Sequence, residues 1–227
     1  MSRARAIFLS ASVPHPKRSA KYFDTADPVA IGAAVSALVN VILGRRLLIW
    51  GGHPSITPMI WTVAADLGVD YAAWVHLFQS RLFEDDFPKE NAQFKNVTYV
   101  RSVDGKRGPS LAEMRRRMIG SFEYEAGVFI GGMEGVEDEF ALFTKRHQKT
   151  PVLPFASTGG AALLLYDQTQ GLPSSLMDSL DYVGIFHRLL DISASELRRM
   201  HPAMAVRRRR KSVEHRPLSR PGRPLNR

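Results

Sequence analysis

Short apolar runs of strand length alternate along this chain with longer stretches in which apolar residues return every three or four positions. The runs are Ala6–Ser12, Arg46–Gly51, Tyr71–Phe78, Asn96–Ser102, Gly127–Gly131 and Val152–Ala156. Each contains β-branched or aromatic residues, and most lack the in–out polar alternation of a half-solvated sheet, as strands covered on both faces should. The helical patterns between them cover Pro28–Leu43, Thr57–Leu67, Ser110–Phe122, Val136–His147 and Ser157–Tyr166, and Ser174–Leu190 closes the set. Pro28 and Pro58 fall where a helix's first turn tolerates proline. The pattern predicts an α/β fold with a mostly parallel sheet and helices on both faces.

Length agrees with one body. With 227 residues, 44% of them hydrophobic, the chain can bury one sizeable core and reads as a single domain over residues 1–197. The formal net charge of +9 looks like a nucleic-acid signal until it is divided along the chain. Eleven of the 31 basic residues and only one of the 22 acids lie from Arg198 onward, so the body carries about as many acids as bases. Residues 198–227 contain five consecutive cations, Arg207 to Lys211, followed by Pro217, Pro221 and Pro224. Such a segment is too polar to offset its ordering entropy and reads as a disordered basic tail. It has no Phe, Tyr or Trp for base stacking, so any attraction to nucleic acid is loose and salt-sensitive.

Other classes are disfavoured by what the chain lacks. Without cysteine there is no disulfide frame and no thiolate nucleophile, which fits a reducing cytoplasm. Val29–Leu43 is apolar but has only 15 residues and is interrupted by Ser36 and Asn40, short of the ~20 a membrane span needs. The arginines before Ala6 precede a run that leads into Pro14–Arg18 with no cleavage pattern, so this run reads as a first strand. The seven histidines show no pair at helical ligand spacing, and neither a metal site nor a resident cofactor is expected.

Candidate chemistry gathers at the strand ends. Three glycine turns stand between a strand and a helix: Gly51-Gly52-His53, Gly131-Gly132-Met133-Glu134-Gly135 and Ser157-Thr158-Gly159-Gly160. Such turns aim backbone N–H groups and a positive helix end into one concavity, which suits a phosphate; they also serve simply as tight bends. In an open parallel sheet the ligand crevice lies beyond the carboxyl ends of the strands. Ser10, Ser12, Gln79 and Ser80 end other runs there, and His53 is placed to face a ligand, whereas His76 inside a strand reads as a hydrogen-bonded core residue. Glu134, Glu137, Asp138 and Glu139 crowd one helix start, where acids complement the helix dipole but repel a phosphate. Arg115, Arg116 and Arg117 are the available countercharge, and only one or two can turn inward because helix neighbours diverge by ~100°.

Met114-Arg115-Arg116-Arg117-Met118, an apolar strand, and Gly131 to Glu139 together resemble the arginine helix and Pro-Gly-Gly-x-Gly-Thr-x-x-Glu signature of LOG-type phosphoribohydrolases. These belong to the SLOG superfamily of Rossmann-like nucleotide-binding domains. Ile7–Pro14, Gly51–Pro58, Gln79-Ser80 and Ser157–Ala162 resemble more specifically the prokaryotic SLOG cluster of nucleotide-activated conflict systems. The resemblance spans about residues 6–190 and implies a Rossmann-like, doubly wound sheet. It further implies a glycine loop that holds phosphate, Glu139 at the ribose, and Arg116 (or, counted from Met114, Arg117) as the signature arginine. Ile130 replaces the signature proline, Glu134 is an extra residue, and Val136 replaces the threonine. The implied role is a sensor of a nucleotide or an ADP-ribose-like signal in a prokaryotic defence system. Its implied partners are a TIR-type, sirtuin-like or membrane effector and a second copy of the chain. The alternatives are a LOG-like nucleoside 5′-monophosphate phosphoribohydrolase using Glu139 and Arg116, and a nucleic-acid binder acting through the tail.

Overall fold

The computed structural model describes residues 6–67 and 74–199. Six strands, β1 (Ala6–Ser12), β2 (Leu47–Trp50), β3 (Val75–Ser80), β4 (Asn96–Val100), β5 (Tyr124–Gly131) and β6 (Val152–Phe155), form one sheet in the order β4-β3-β2-β1-β5-β6. Every pairing is parallel. The helices are α1 (Ala20–Phe23), α2 (Pro28–Ile42), α3 (Thr57–Asp66), α4 (Arg107–Gly120), α5 (Glu134–Arg146), α6 (Gly160–Gln168), α7 (Ser175–Asp178) and α8 (Tyr182–Leu189). Two 3₁₀ turns, Arg81–Asp86 and Lys89–Gln93, bridge β3 and β4. This is the α/β, Rossmann-like, doubly wound arrangement, with all six strands where the apolar runs place them; residues 71–73 of the third run lie outside the described residues.

Strand β1 organises both layers. All seven of its residues are buried, and successive side chains go to opposite faces. Ile7, Leu9 and Ala11 join the core beneath α2, α3 and α8, while Ala6 and Phe8 join the core beneath α4, α5 and α6. Ser10 and Ser12, at even positions, share the face of Phe8. On that face Phe8 stacks on Phe143 at 5.1 Å and meets Phe129 edge-on at 6.0 Å. Helix α2 is started by Asp27, whose carboxylate accepts from the Val29 and Ala30 amides, with Pro28 next to it. No described helix is long and apolar enough to cross a membrane.

Two boundaries differ from the sequence reading. The single helix expected over 174–190 is two, because Asp181 accepts from the Gly184 amide and caps α8 instead of continuing α7. The body also runs past residue 197. Buried Arg46 is held between Glu125 and Glu196, each at 2.7 Å, Arg198 donates to the Leu43 carbonyl at 2.6 Å, and the Arg199 amide donates to Gly44. The tail expected beyond these residues lies outside the described part of the chain.

The bend before α6 is rigid for a reason that can be tested. Gly159 has φ +67° and ψ −158°, and a Cβ there would stand 1.8 Å from the Thr25 carbonyl oxygen. Gly105 has a similar φ of +64° but open space around it. Gly105→Ala is therefore expected to cost about 1–2 kcal/mol from backbone conformation alone. Gly159→Ala adds overlap with main chain and should cost roughly 3 kcal/mol or more. Urea unfolding of the two variants measures the difference, and equal losses would show that the bend yields.

Candidate ligand-binding site

The chain steps from β1 through β2 and β3 to β4 at one edge, then returns to β5 on the other side of β1. The switch point of the sheet therefore lies between β1 and β5, the place where parallel α/β sheets hold ligands. A cavity of about 920 Å³ opens along this rim, near the upper end of the ~300–1,000 Å³ typical of small-molecule sites. Of the sequence candidates, Ser10, Ser12, Gly51, Gly52, His53, Gln79, Arg116, Met133, Glu134, Gly135 and Glu139 line it. Ser80, Gly131, Gly132, Ser157, Thr158, Gly159 and Gly160 do not. Two of the three glycine turns thus converge on the cavity.

The third turn is occupied with holding the sheet together. Thr158 accepts from the Gly131 amide at 2.8 Å and donates to the Phe155 carbonyl. The Gly132 amide donates to the Ser12 carbonyl, and the Gly132 carbonyl accepts from Ala161. The Gly160 amide donates to the Thr25 hydroxyl at 3.1 Å, and Ser157 shares a hydrogen bond with the Tyr182 hydroxyl. The amides of Gly131, Gly132, Gly159 and Gly160 are all engaged within the fold. On the cavity side, the Glu134 and Gly135 amides open α5; they have no intrahelical acceptor, and Met133 supplies no capping side chain.

Glu139 is the most enclosed acid of the cavity wall. Its side chain is 13% exposed, accepts from the Ser10 hydroxyl at 2.6 Å and pairs with Arg115 at 3.3 Å. Burial pushes this carboxyl above the usual carboxylate range, while the charge of Arg115 and the hydrogen bonds from Ser10 and Arg115 oppose the rise. Arg115 also reaches Asp138 at 2.9 Å. The arginine facing Glu139 is therefore Arg115. Arg116, the residue favoured from the glycine count, reaches the rim of the cavity but donates from two nitrogens to Glu113, which Arg117 also contacts. The sequence does contain a signal for this: Leu111, Met114, Arg115 and Met118 are spaced as one helix face, so Arg115 lies on the inward stripe.

The turn after β2 forms another wall. Gly52 has φ +71°, and a Cβ there would overlap the Gln79 amide nitrogen, which donates to the Gly52 carbonyl at 3.0 Å. That contact uses the donor end of the Gln79 amide and leaves its oxygen as the acceptor end. His53 follows, with Nδ1 2.9 Å from the Ser55 hydroxyl and accepting from the Ser55 amide. Burial, with the nearby charges of Arg18 and Arg107, lowers its pKa to about 4, so the ring is neutral at pH 7. Arg18 and Arg107 both line the cavity and were missed from the sequence, where each is one cation within a loop-like stretch. His76 lies away from the cavity, bonded to Thr98 at 2.8 Å and stacked on Phe78.

Among the described residues no group of three or more His, Asp and Glu is placed to hold a metal ion. The chain is similar in structure to TM1055, a structural-genomics target solved by X-ray crystallography, with a TM-score of 0.46 and 14% identity; the match covers 81% of this chain and 99% of that one. Comparison with curated proteins gives no match. The SLOG cluster3 family model matches residues 21–190, which is most of the chain and contains most of the cavity wall. The chain belongs to the SLOG cluster3 family.

Proposed function

We propose that the cavity binds a nucleotide or a nucleotide-derived, ADP-ribose-like signal, and that the chain is the sensing component of a prokaryotic conflict or defence system. Membership of an SLOG family supports a nucleotide-related role. The observation that carries the reading is the convergence of the β1, β2 and β3 ends with the start of α5 on one cavity of about 920 Å³. Its wall offers the complementary groups a nucleoside needs: a carboxylate steadied by Ser10, a neutral imidazole, and the acceptor end of the Gln79 amide. For sensing, a ligand need only bind one conformation or assembly better than another. In this reading the chain works as a homodimer or higher oligomer and reports to a TIR-type, sirtuin-like or membrane effector.

One observation favours a second reading, a LOG-like phosphoribohydrolase. Glu139 is an enclosed carboxyl at the edge of the cavity whose pKa burial raises, and a carboxyl in such a setting is a candidate general acid or base. In that reading Glu139 acts at the ribose, and Arg115 takes the place the signature gives to its arginine.

Two measurements follow. AMP or ADP-ribose at about a hundred times its Kd should stabilise the fold by ~2.7 kcal/mol, seen as a rise of several degrees in Tm. If neither these nor other nucleoside monophosphates shift the transition, the binding reading fails. With AMP as substrate, a hydrolase releases adenine and ribose 5-phosphate, and Glu139→Gln should slow that release by about 100-fold or more. Saturable binding without release by the wild-type protein supports the sensor instead.

A further inference from the structure

We propose that the anionic group of the ligand is held at the β2 end of the cavity, by the guanidinium groups of Arg18 and Arg107 and the Nε2–H of His53, and not at the glycine turn after β5. The inference deepens the nucleotide-binding reading, on which its choice of ligand rests.

The glycine turn is poorly suited to a phosphate in this chain. Its first two amides, of Gly131 and Gly132, already donate to Thr158 and Ser12. The remaining open amides belong to Met133, Glu134 and Gly135, and the turn of helix they begin carries Glu134 and Glu137, followed by Asp138 and Glu139. The cations of that wall are already committed: Arg115 is shared between Asp138 and Glu139, and Lys21 pairs with Glu137 at 3.3 Å. An anion arriving there would meet four carboxylates against two cations, and the helix dipole supplies only about half an elementary charge toward the difference.

The β2 end has the opposite character. Arg18, in the loop after β1, and Arg107, the first residue of α4, come from separate segments and both line the cavity. Neither has an acidic partner within ion-pair distance among the described residues. Arg107 lies over the Phe83 ring at 5.4 Å, which supports the flat face of the guanidinium and leaves its N–H edge available. Asp86 lines the same cavity and pairs with neither arginine. His53 completes the group. Its Nδ1 receives the Ser55 amide at 3.3 Å, and the Ser55 hydroxyl, itself an acceptor for the Val13 amide, has its own proton to give to Nδ1. The proton of the neutral ring is thus on Nε2, which makes His53 a donor on its other side. All three line the one cavity, and the charges of Arg18 and Arg107 each act on the His53 ring. Two forked cations and a neutral N–H donor form an anion site, with charge-assisted hydrogen bonds as its strongest contacts.

Titration calorimetry with AMP, adenosine and inorganic pyrophosphate tests the assignment. Arg18→Ala and Arg107→Ala should each weaken AMP binding by about tenfold or more. The double variant should lose pyrophosphate binding, while adenosine affinity stays within about twofold. Both side chains are exposed, and an unchanged Tm verifies that the variants fold. Glu134→Gln provides the opposing arm. If the phosphate sits on the glycine turn, that variant strengthens AMP binding while the arginine variants leave it unchanged, and the proposal is overturned. If the wild-type protein binds pyrophosphate through these arginines but binds neither AMP, adenosine nor ADP-ribose, the anion site stands and the nucleotide reading falls. If it binds none of the probes, both fall.

Discussion

Two peptide N–H groups decide how this rim of the sheet is used. The Gly131 amide ends on the Thr158 hydroxyl and the Gly132 amide on the Ser12 carbonyl, so β5, β1 and the turn after β6 are joined at the strand ends. The close approach leaves no room for side chains: a Cβ on Gly131 would come within 2.5 Å of Ile31, and one on Gly132 within 2.2 Å of Val136. Glycine is required at both positions by packing, before any ligand is considered. A buried backbone donor without a partner is costly, and these donors have found theirs inside the fold. The stitch positions α5 against β1, which brings Glu139 to Ser10, and it removes from the turn the two amides that would otherwise face a phosphate.

The same constraint separates what could be read from the sequence from what could not. The strands were legible because burial on both faces leaves continuous apolar runs, and β1 is the clearest case, with the run Ala6–Ser12 matching the strand residue for residue. The glycine turns were legible as turns, but their roles were not. Gly51-Gly52 and Gly159-Gly160 look alike in sequence; the first lines the cavity, while the second packs against Thr25 and Gly132. Those neighbours are distant along the chain, so no local pattern announces them. The arginine helix shows a different kind of loss. Three consecutive arginines differ only in helical phase, and counting from a motif selected Arg116, whereas the apolar stripe through Met114 and Met118 turns Arg115 toward Glu139. Arg18 and Arg107 are isolated cations whose proximity is made entirely by the return of the chain across the sheet.

The charge state of Glu139 is set by a contest for one guanidinium. Burial raises the pKa of this carboxyl and Arg115 lowers it, so its proton affinity depends on how much of Arg115 it commands. Asp138 competes for the same guanidinium, at 2.9 Å against 3.3 Å for Glu139, and lies mostly in solvent, where holding a charge costs little. A shift of Arg115 fully onto Asp138 would leave Glu139 enclosed with Ser10 as its remaining partner and would raise its proton affinity further. A shift onto Glu139 would fix that carboxylate as an ionised, two-point acceptor suited to ribose hydroxyls. The division of Arg115 between Asp138 and Glu139 therefore sets the charge of the most enclosed carboxyl of the cavity. That division turns on one side chain and needs no change to the sheet or to the stitch that holds α5 in place.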